Sequence, residues 1–230
     1  MIWWPEEIPT LLVDTNHLVD SKNTLTNQMA LKLIKLRPVR PSDAEAIYRG
    51  AQDPEVPKFT TLPANYTLDN AINFAKNRAP ERHANRLELI FAIDYILANQ
   101  NNQPEYLSLN PEQDLEQDLA QDPARDIELL AGIISLHSID FANHRAEIGY
   151  WLVKEARNLG IGTASVELLT EYGLITMGFR RIDALVDVRN EASKRLLVKA
   201  GYQFEGTLKN YVTRSDGNQI DMAVFAATVS

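Results

Sequence analysis

The sequence contains no cysteine, and this absence alone excludes several kinds of site. Disulfide bonds, thiolate zinc sites and a cysteine nucleophile all need the sulfhydryl group. Histidine is also scarce, and the four histidines, His17, His83, His137 and His144, are not spaced like metal ligands. We therefore predict no metal, and we interpret His137 as a strand residue and the other three as surface residues.

Long apolar runs are missing as well. The longest, Leu129 to Leu136, has the length of a buried strand and falls far short of the roughly 20 residues that span a bilayer. The segment Met1–Glu7 has no basic stretch and no uninterrupted apolar core, so we do not expect a secretory signal. These features predict a cytoplasmic protein with no membrane partner.

Positively charged residues are outnumbered, because 23 lysines and arginines face 31 aspartates and glutamates, for a formal net charge of −8. This balance argues against a generally basic surface, so we predict no nucleic-acid partner. An acidic surface suits a cationic substrate, such as an amine. The 230 residues, 45% of them apolar, are ample for one large packed domain.

We predict a single domain over residues 31–230, preceded by an extension of residues 1–30. The extension shows weak periodicity and many polar residues, and Trp3 and Trp4 are expected to anchor it. A low-complexity acidic stretch, rich in glutamine and asparagine, lies at about residues 98–126. It offers few apolar groups to offset the entropy of ordering, so we expect a disordered insertion within the domain.

Alternating apolar patterns predict about seven strands with helices between them. The order β-α-α-β-β-β-α-β-α-β-β gives an α/β fold with a mixed, mostly antiparallel sheet and helices on both faces. Strands at 87–95 and 129–137 are predicted to be antiparallel neighbours on either side of the insertion, with a bulge at Gly132. Strands at 146–153 and 181–188 are joined through a helix, so they are predicted to be parallel. The remaining elements are a strand at 31–37, helices from Pro41 to about Ala51, from Thr67 to before Pro80 and from Asn190 to Gly201, and a final hairpin of 202–208 and 219–227 with its turn at 215–218.

The loop that follows the strand at 146–153 carries the strongest functional signal. This basic, glycine-bearing loop, Lys154–Gly162, leads into an apolar helix that starts at about Thr163. The first-turn amides of a helix and its dipole both favour an anion. A P-loop needs lysine and then serine or threonine after its last glycine, but Thr163 and Ala164 stand there. A dinucleotide turn follows its strand directly, whereas six residues, 154 to 159, precede Gly160.

A third interpretation of the loop fits. Residues Arg157–Gly162 form R-x-x-G-x-G, which resembles the acetyl-CoA pyrophosphate loop of the GNAT acetyltransferases. Other features agree in order with this family: the helix pair after the first strand, the central hairpin, the strand before the loop, the Asn-x-x-Ser helix start at 190–193 and the terminal hairpin. Glu147–Leu152 and Gly201–Leu208 are similar to the RimJ/RimL-like branch, which N-acetylates ribosomal proteins and related amines. The resemblance covers roughly residues 31–228.

The resemblance implies a GNAT-like sheet with a V-shaped splay between the strands at 146–153 and 181–188, and acetyl-CoA as co-substrate. The pantetheine arm would lie between these strands and pair with exposed backbone of the first. Amides there would polarise the thioester carbonyl. Arg157 would contact phosphate or, alternatively, pack its stem on the strand. Asn190 would contact the cofactor arm or, alternatively, only cap the helix. The residues implied in binding acetyl-CoA are Trp151, Leu152, Val153, Arg157, Asn158, Leu159, Gly160, Ile161, Gly162, Thr163, Asn190 and Ser193.

The implied reaction is attack of a neutral amine on the acetyl thioester. Glu147 is the candidate base, directly or through a water; the alternative is a surface carboxylate paired with Arg145. Ser193 is the candidate to hydrogen-bond or protonate the departing thiolate, or else an ordinary first-turn helix residue. Tyr211 is a second candidate acid, or else simply a tyrosine of the final hairpin. Some members of the branch carry a carboxylate base near the position of Val212. Valine cannot serve as a base, so this role is not transferred to the present chain.

We therefore predict an N-acetyltransferase that moves acetyl from acetyl-CoA to a primary amine by direct attack. The acceptor is a protein N-terminus, such as that of a ribosomal protein, or a small amine. Two alternatives from other classes are a non-catalytic acyl-CoA-binding or interaction module and a dinucleotide-dependent oxidoreductase. The sequence leaves the acceptor open and is compatible with a monomer or a homodimer.

Overall fold

The computed structural model describes residues 2–15, 29–99, 127–214 and 217–229. Its strands are β1 Leu11–Asp14, β2 Met29–Pro38, β3 Leu89–Asn99, β4 Ile127–Asp140, β5 Arg145–Leu152, β6 Arg181–Asp187, β7 Gln203–Thr213 and β8 Gln219–Thr228. They form one sheet in the order β1-β2-β3-β4-β5-β6-β8-β7. The low-complexity stretch from residue 100 to 126 and the first half of the predicted 215–218 turn lie outside the described residues.

The helices lie on both faces of the sheet, as predicted. They are α1 Ala44–Ala51, α2 Glu55–Phe59, α3 Leu68–Asn73, α4 Ala79–Ala84, α5 Ile161–Glu171 and α6 Glu191–Lys199. Strand β3 shows how the sheet separates two cores, because Ile90 and Ala92 pack with α1 to α4, whereas Leu89 and Phe91 pack with α5 and α6. This alternation is the two-residue period of a strand that is buried on both faces. Among the described residues, no helix is long and apolar enough to cross a membrane.

Two features differ from the sequence prediction. The sheet has eight strands rather than about seven, because β1 lies in residues 1–30 and pairs antiparallel with β2. Its four residues are too short for an alternating pattern to stand out. The second helical region also continues through Pro80 to the end of α4. A π-turn at Phe74–Arg78 joins α3 to α4, and this wider turn accommodates a proline, which has no N–H donor.

Strands β5 and β6 are parallel but stay paired over only three positions. Arg145, Ala146 and Glu147 of β5 face Arg181, Ile182 and Asp183 of β6. Beyond Glu147 each strand keeps its other neighbour, since β5 continues along β4 and β6 continues along β8. The two described strands therefore part after Glu147 and Asp183, which is the predicted V-shaped splay.

A bulge in β4 supports the far end of β5. The register between β3 and β4 shifts where Ile93 faces Gly132 and Asp94 faces Leu130, as the sequence predicted at Gly132. Gly132 has a φ of 155°, and a Cβ there would lie 2.0 Å from the carbonyl oxygen of Trp151. Glycine is required at this position because the backbone of β5 occupies the space of any side chain.

We predict that Gly132→Ala lowers the free energy of unfolding by roughly 3 kcal/mol or more, because strain and a backbone clash add. Gly206 is the matched control, with a φ of 157° and no atom within 4 Å of an added Cβ. Gly206→Ala should therefore cost only about 1 kcal/mol. Urea unfolding of both variants measures the difference, and equal losses would contradict the proposed contact with Trp151.

Candidate active site

Glu147 occupies the vertex of the V between β5 and β6. Its register partners are His137 on β4 and Asp183 on β6, so the three side chains lie side by side on one face of the sheet. Two-residue alternation along β5 places Glu147 on the same face as Trp151, which packs with the helices α1 and α3. The candidate base therefore faces the layer formed by α1 to α4.

The surroundings of Glu147 raise the pKa of its carboxyl group. Burial and the charge of Asp183 raise the pKa of Glu147 to about 7. A base is most effective when its pKa lies near the operating pH, so this value suits acid–base catalysis at neutral pH. Arg145 does not neutralise Glu147, since its Nε lies 3.3 Å from Asp140. Asp183 is itself bound by Arg181 at 2.6 Å.

A second pair of polar side chains lies on the opposite face of β5. The hydroxyl groups of Tyr150 and Ser193 are 2.7 Å apart. Burial raises the pKa of Tyr150 to about 12, so its hydroxyl stays protonated. Asn190 caps α6, because its side-chain oxygen accepts from the N–H of Ser193 at 3.1 Å. The cap fixes the first turn of α6, and with it the position of Ser193.

Glu147 and Ser193 are therefore on different sides of the sheet. Residues 147 and 150 are separated by an odd number of positions along β5, so their side chains point to opposite faces. The two groups can act on one molecule only where the sheet is interrupted. The gap between the diverging β5 and β6 is such a place, because a molecule held in it is accessible from both faces.

The loop after β5 presents backbone rather than side chains at the start of α5. Gly160 is the N-cap with a φ of 81°, and no described side chain caps the helix. Asn158 also has a positive φ, 63°. The side chain of Ile161 is fully buried, so only its backbone can face a ligand. A Cβ on Gly162 would lie 2.7 Å from Cδ1 of Leu196, so this glycine allows α5 to pack closely on α6.

Arg157 fastens the loop to its surroundings. Its Nε and Nη2 donate to the carbonyl oxygen of Leu152 at 3.1 and 2.8 Å. Nη2 also lies 2.7 Å from Oδ2 of Asp53, in the connection between α1 and α2. The other carboxylate oxygen of Asp53 accepts from the N–H of Glu55 at the start of α2. The guanidinium thus joins the loop, the end of β5 and the α1–α2 connection.

The end of β5 is also packed against α1. Trp151 is buried, and a Cβ on Gly50 of α1 would lie 2.8 Å from its ring. The N–H of Val153 donates to the carbonyl oxygen of Ala131 at 2.8 Å. Together with the bond from Arg157 to Leu152, these contacts already engage part of the backbone at 151–153 that the sequence analysis assigns to pantetheine. Leu159 is half-buried against the larger core, and Thr163 is half-buried in the first turn of α5.

Tyr211 lies apart from these groups, on the edge strand β7. The residue is 54% exposed. The register between β7 and β8 shifts between Leu208 and Val212, and Asp221 accepts there from the N–H of Asn210 at 2.9 Å. Tyr211 therefore lies in a part of β7 that is not regularly paired with β8.

Comparison with known proteins identifies the architecture. A family model described as an acetyltransferase (GNAT) domain matches residues 34–203. The chain belongs to this family. It is 37% identical over 191 residues to the uncharacterised N-acetyltransferase YoaA of Bacillus subtilis, covering 83% of this chain and 90% of YoaA. It is 32% identical over 80 residues to the ribosomal-protein-serine acetyltransferase of Escherichia coli, covering 35% of this chain and 45% of that protein.

Solved structures agree with the fold. RimJ of Mycobacterium smegmatis, in complex with CoA-disulfide, superposes with a TM-score of 0.69 at 20% identity, covering 99% of this chain and 90% of RimJ. The GNAT fold predicted from the sequence is confirmed, and the RimJ/RimL-like branch agrees with these relatives. The protein is an acetyl-CoA-dependent N-acetyltransferase. The dinucleotide-dependent and non-catalytic alternatives gain no support from the comparisons. Within the described residues, no group of three or more potential metal ligands occurs.

Sequence reasoning missed three partners of the candidate site residues. Tyr150 bonds Ser193, Asp183 flanks Glu147, and Asp53 binds Arg157. Tyr150 and Asp183 fall in strand patterns that indicate only alternation, and the separation of Asp53 from Arg157 leaves no local signal. Asp183 could have been found only from the register of β5 and β6, which places it opposite Glu147.

Proposed function

We propose that acetyl-CoA lies in the gap between β5 and β6, with its pyrophosphate on the first-turn amides of α5. The amides of Ile161 to Thr163 in the first turn of α5 support this, because they point along the helix axis and no described side chain caps them at Gly160, the N-cap with a φ of 81°. The unrestricted space around Gly160 is a second support, since an added Cβ would meet no atom within 4 Å. The residues proposed to bind acetyl-CoA are those predicted from the sequence: Trp151, Leu152, Val153, Arg157, Asn158, Leu159, Gly160, Ile161, Gly162, Thr163, Asn190 and Ser193.

The thioester then reaches Glu147 along β5. Glu147 and Leu152 are five positions apart, which corresponds to about 17 Å of strand. A donor anchored by phosphate at the loop extends inward over this distance and brings its acetyl group to the vertex. The observation that carries the proposal is that pairing between β5 and β6 ends at Glu147 and Asp183.

The chemistry follows from the groups at the vertex. Glu147, directly or through a water, takes the proton from the acceptor ammonium, and the neutral amine attacks the acetyl carbonyl carbon. The new C–N bond forms, the C–S bond breaks, and the acetyl group passes directly without an acyl-enzyme. The nitrogen releases its second proton to solvent, and solvent restores the proton that Ser193 gives to the thiolate. Ser193, hydrogen-bonded to the protonated Tyr150, donates to the departing thiolate. Tyr211 is the second candidate for this acid.

The acceptor is a primary amine, either the α-amine of a protein N-terminus or a small amine. The carboxylates of Glu147 and Asp183 at the vertex favour a cationic group, and the net charge of −8 favours its approach. A relative that is named for acetylating a ribosomal protein supports a protein N-terminus. An α-amine, with a pKa near 8, needs less help from a base than a lysine-type amine near 10.4.

The domain organisation is part of the proposal. Residues 31–230 form one acetyltransferase domain, and residues 1–30 are an extension that supplies β1. The stacking of Trp4 on His83, with ring centroids 5.5 Å apart, supports an anchoring role for this aromatic residue. Trp3, by contrast, is half exposed and contributes its backbone N–H to the carbonyl of Met177. The cytoplasmic location and the monomeric or homodimeric state stay predictions.

We predict that Gly160→Asp raises the Kd for acetyl-CoA at least about tenfold, because a negative charge then occupies the phosphate site. Gly201→Asp is the matched control, since Gly201 has a φ of 83° and equally open surroundings. Both variants carry the same backbone strain, but only the first should lose affinity. Calorimetric titration measures the two Kd values, and unchanged affinity in Gly160→Asp would rule out the loop.

The role of Glu147 is tested by Glu147→Gln, which keeps the shape of the side chain but removes the base. We expect kcat to fall about 100-fold while the Kd for acetyl-CoA stays within about threefold. CoA release is followed with a panel of N-terminal peptides and small amines, which also identifies the acceptor. The exposed Glu171→Gln on α5 is the control and should retain wild-type turnover; wild-type turnover in Glu147→Gln would remove Glu147 from the mechanism.

A further inference from the structure

We infer that His137 is a positioning residue that holds Glu147 in its ionised, base-competent form. This inference rests on the proposed function, in which Glu147 accepts the proton of the amine. His137 does not contact the reacting atoms in this account. It acts through Glu147 by offering its ring N–H to the carboxylate from the neighbouring strand.

The geometry brings the ring and the carboxylate together. His137 and Glu147 are direct cross-strand partners, and Nε2 of His137 lies 4.0 Å from Oε1 of Glu147. At this distance the two groups are not hydrogen-bonded, and the inference requires a side-chain rotation that brings them together when substrate binds, in the way that catalytic contacts commonly tighten. Both side chains are largely shielded, at 28% and 23% exposure, so the interaction is only weakly screened.

Gly149 makes room for the ring. A Cβ at this position would lie 2.9 Å from Nε2 and 3.3 Å from Cδ2 of His137. The imidazole therefore extends over the backbone of β5 next to Glu147, in space that any larger residue would occupy. The glycine of the Glu147–Leu152 motif thus has a definite packing reason in this chain.

Ser138 is placed to stabilise the tautomer that the inferred donation needs. Nδ1 of His137 lies 3.0 Å from the hydroxyl oxygen of Ser138. When this hydroxyl donates to Nδ1, the ring proton resides on Nε2 and faces Glu147. A neutral imidazole is then sufficient for the role, and an imidazolium strengthens it further.

Charged groups around the pair make such a donor important. From β6, Asp183 opposes ionisation of Glu147, although Arg181 shares the charge of Asp183. From the region before β3, Glu88 faces His137, and Arg82 of α4 pairs with Glu88. Glu147 thus has a carboxylate on one side and the imidazole on the other. In the inferred arrangement, the ring N–H of His137 is the group that favours the carboxylate form, and loss of the imidazole removes it.

The test is the pH dependence of kcat/KM, measured by CoA release with an amine acceptor. Removal of the donor raises the pKa of Glu147, so the acid limb of the profile moves to higher pH. We expect His137→Phe to shift this limb upward by about one pH unit. The activity lost near pH 7 should therefore be regained near pH 9, whereas structural damage lowers kcat/KM equally at every pH.

A second variant guards against misfolding of the first. Gly149→Ala displaces the ring without removing it and should shift the acid limb in the same direction. His144→Asn is the control, because Nδ1 of His144 lies 3.4 Å from the carbonyl of Gly178 instead of facing Glu147. Its profile should match the wild type. An unmoved limb in both His137→Phe and Gly149→Ala would overturn the inference.

The result also separates this inference from the proposed function. If Glu147→Gln loses turnover while the acid limb of His137→Phe is unmoved, Glu147 is the base and His137 has no part in positioning it. If Glu147→Gln keeps wild-type turnover, the proposed base is wrong and the role of His137 is wrong with it.

Discussion

The early end of pairing between β5 and β6 is the constraint on which the rest of the site depends. Two parallel strands can part without large cost only if each retains a ladder on its other edge. Here β4 holds β5 and β8 holds β6, so the sheet stays intact while its middle opens beyond Glu147 and Asp183. The inner edges then offer backbone groups to an extended ligand, as a sheet offers them to an added strand.

The gap also explains why groups on opposite faces can serve one reaction. Glu147 lies on the side of α1 to α4, whereas Tyr150 and Ser193 lie on the side of α6. In the proposed reaction, proton removal from the amine and donation to the thiolate therefore occur on opposite sides of the acetyl group. Arg157 connects the two faces of the sheet, because its guanidinium joins the loop before α5 to Asp53 beside α2. The loop before α5 and the connection between α1 and α2 thus share one anchor at the end of β5.

Much of this architecture could be predicted from the sequence. The order of elements, the bulge at Gly132, the parallel pair and the loop of Arg157–Gly162 all follow from local patterns, because period, turn chemistry and glycine placement are properties of neighbouring residues. Other features could not be predicted, because they depend on tertiary register. Asp183 acquires its role only once β6 is aligned with β5, and Asp53 only once α1 packs on Trp151. The passage of the helix through Pro80 similarly depends on the preceding π-turn.

The most direct test of the account is a crystal structure of the protein with CoA. The pyrophosphate should lie within hydrogen-bond distance of the amides of Ile161 to Thr163, and the pantetheine arm should lie between β5 and β6 with its sulfur directed toward Glu147. CoA bound elsewhere, or β5 and β6 paired along their full length in the complex, would contradict the central claim that the early end of their pairing creates the donor site.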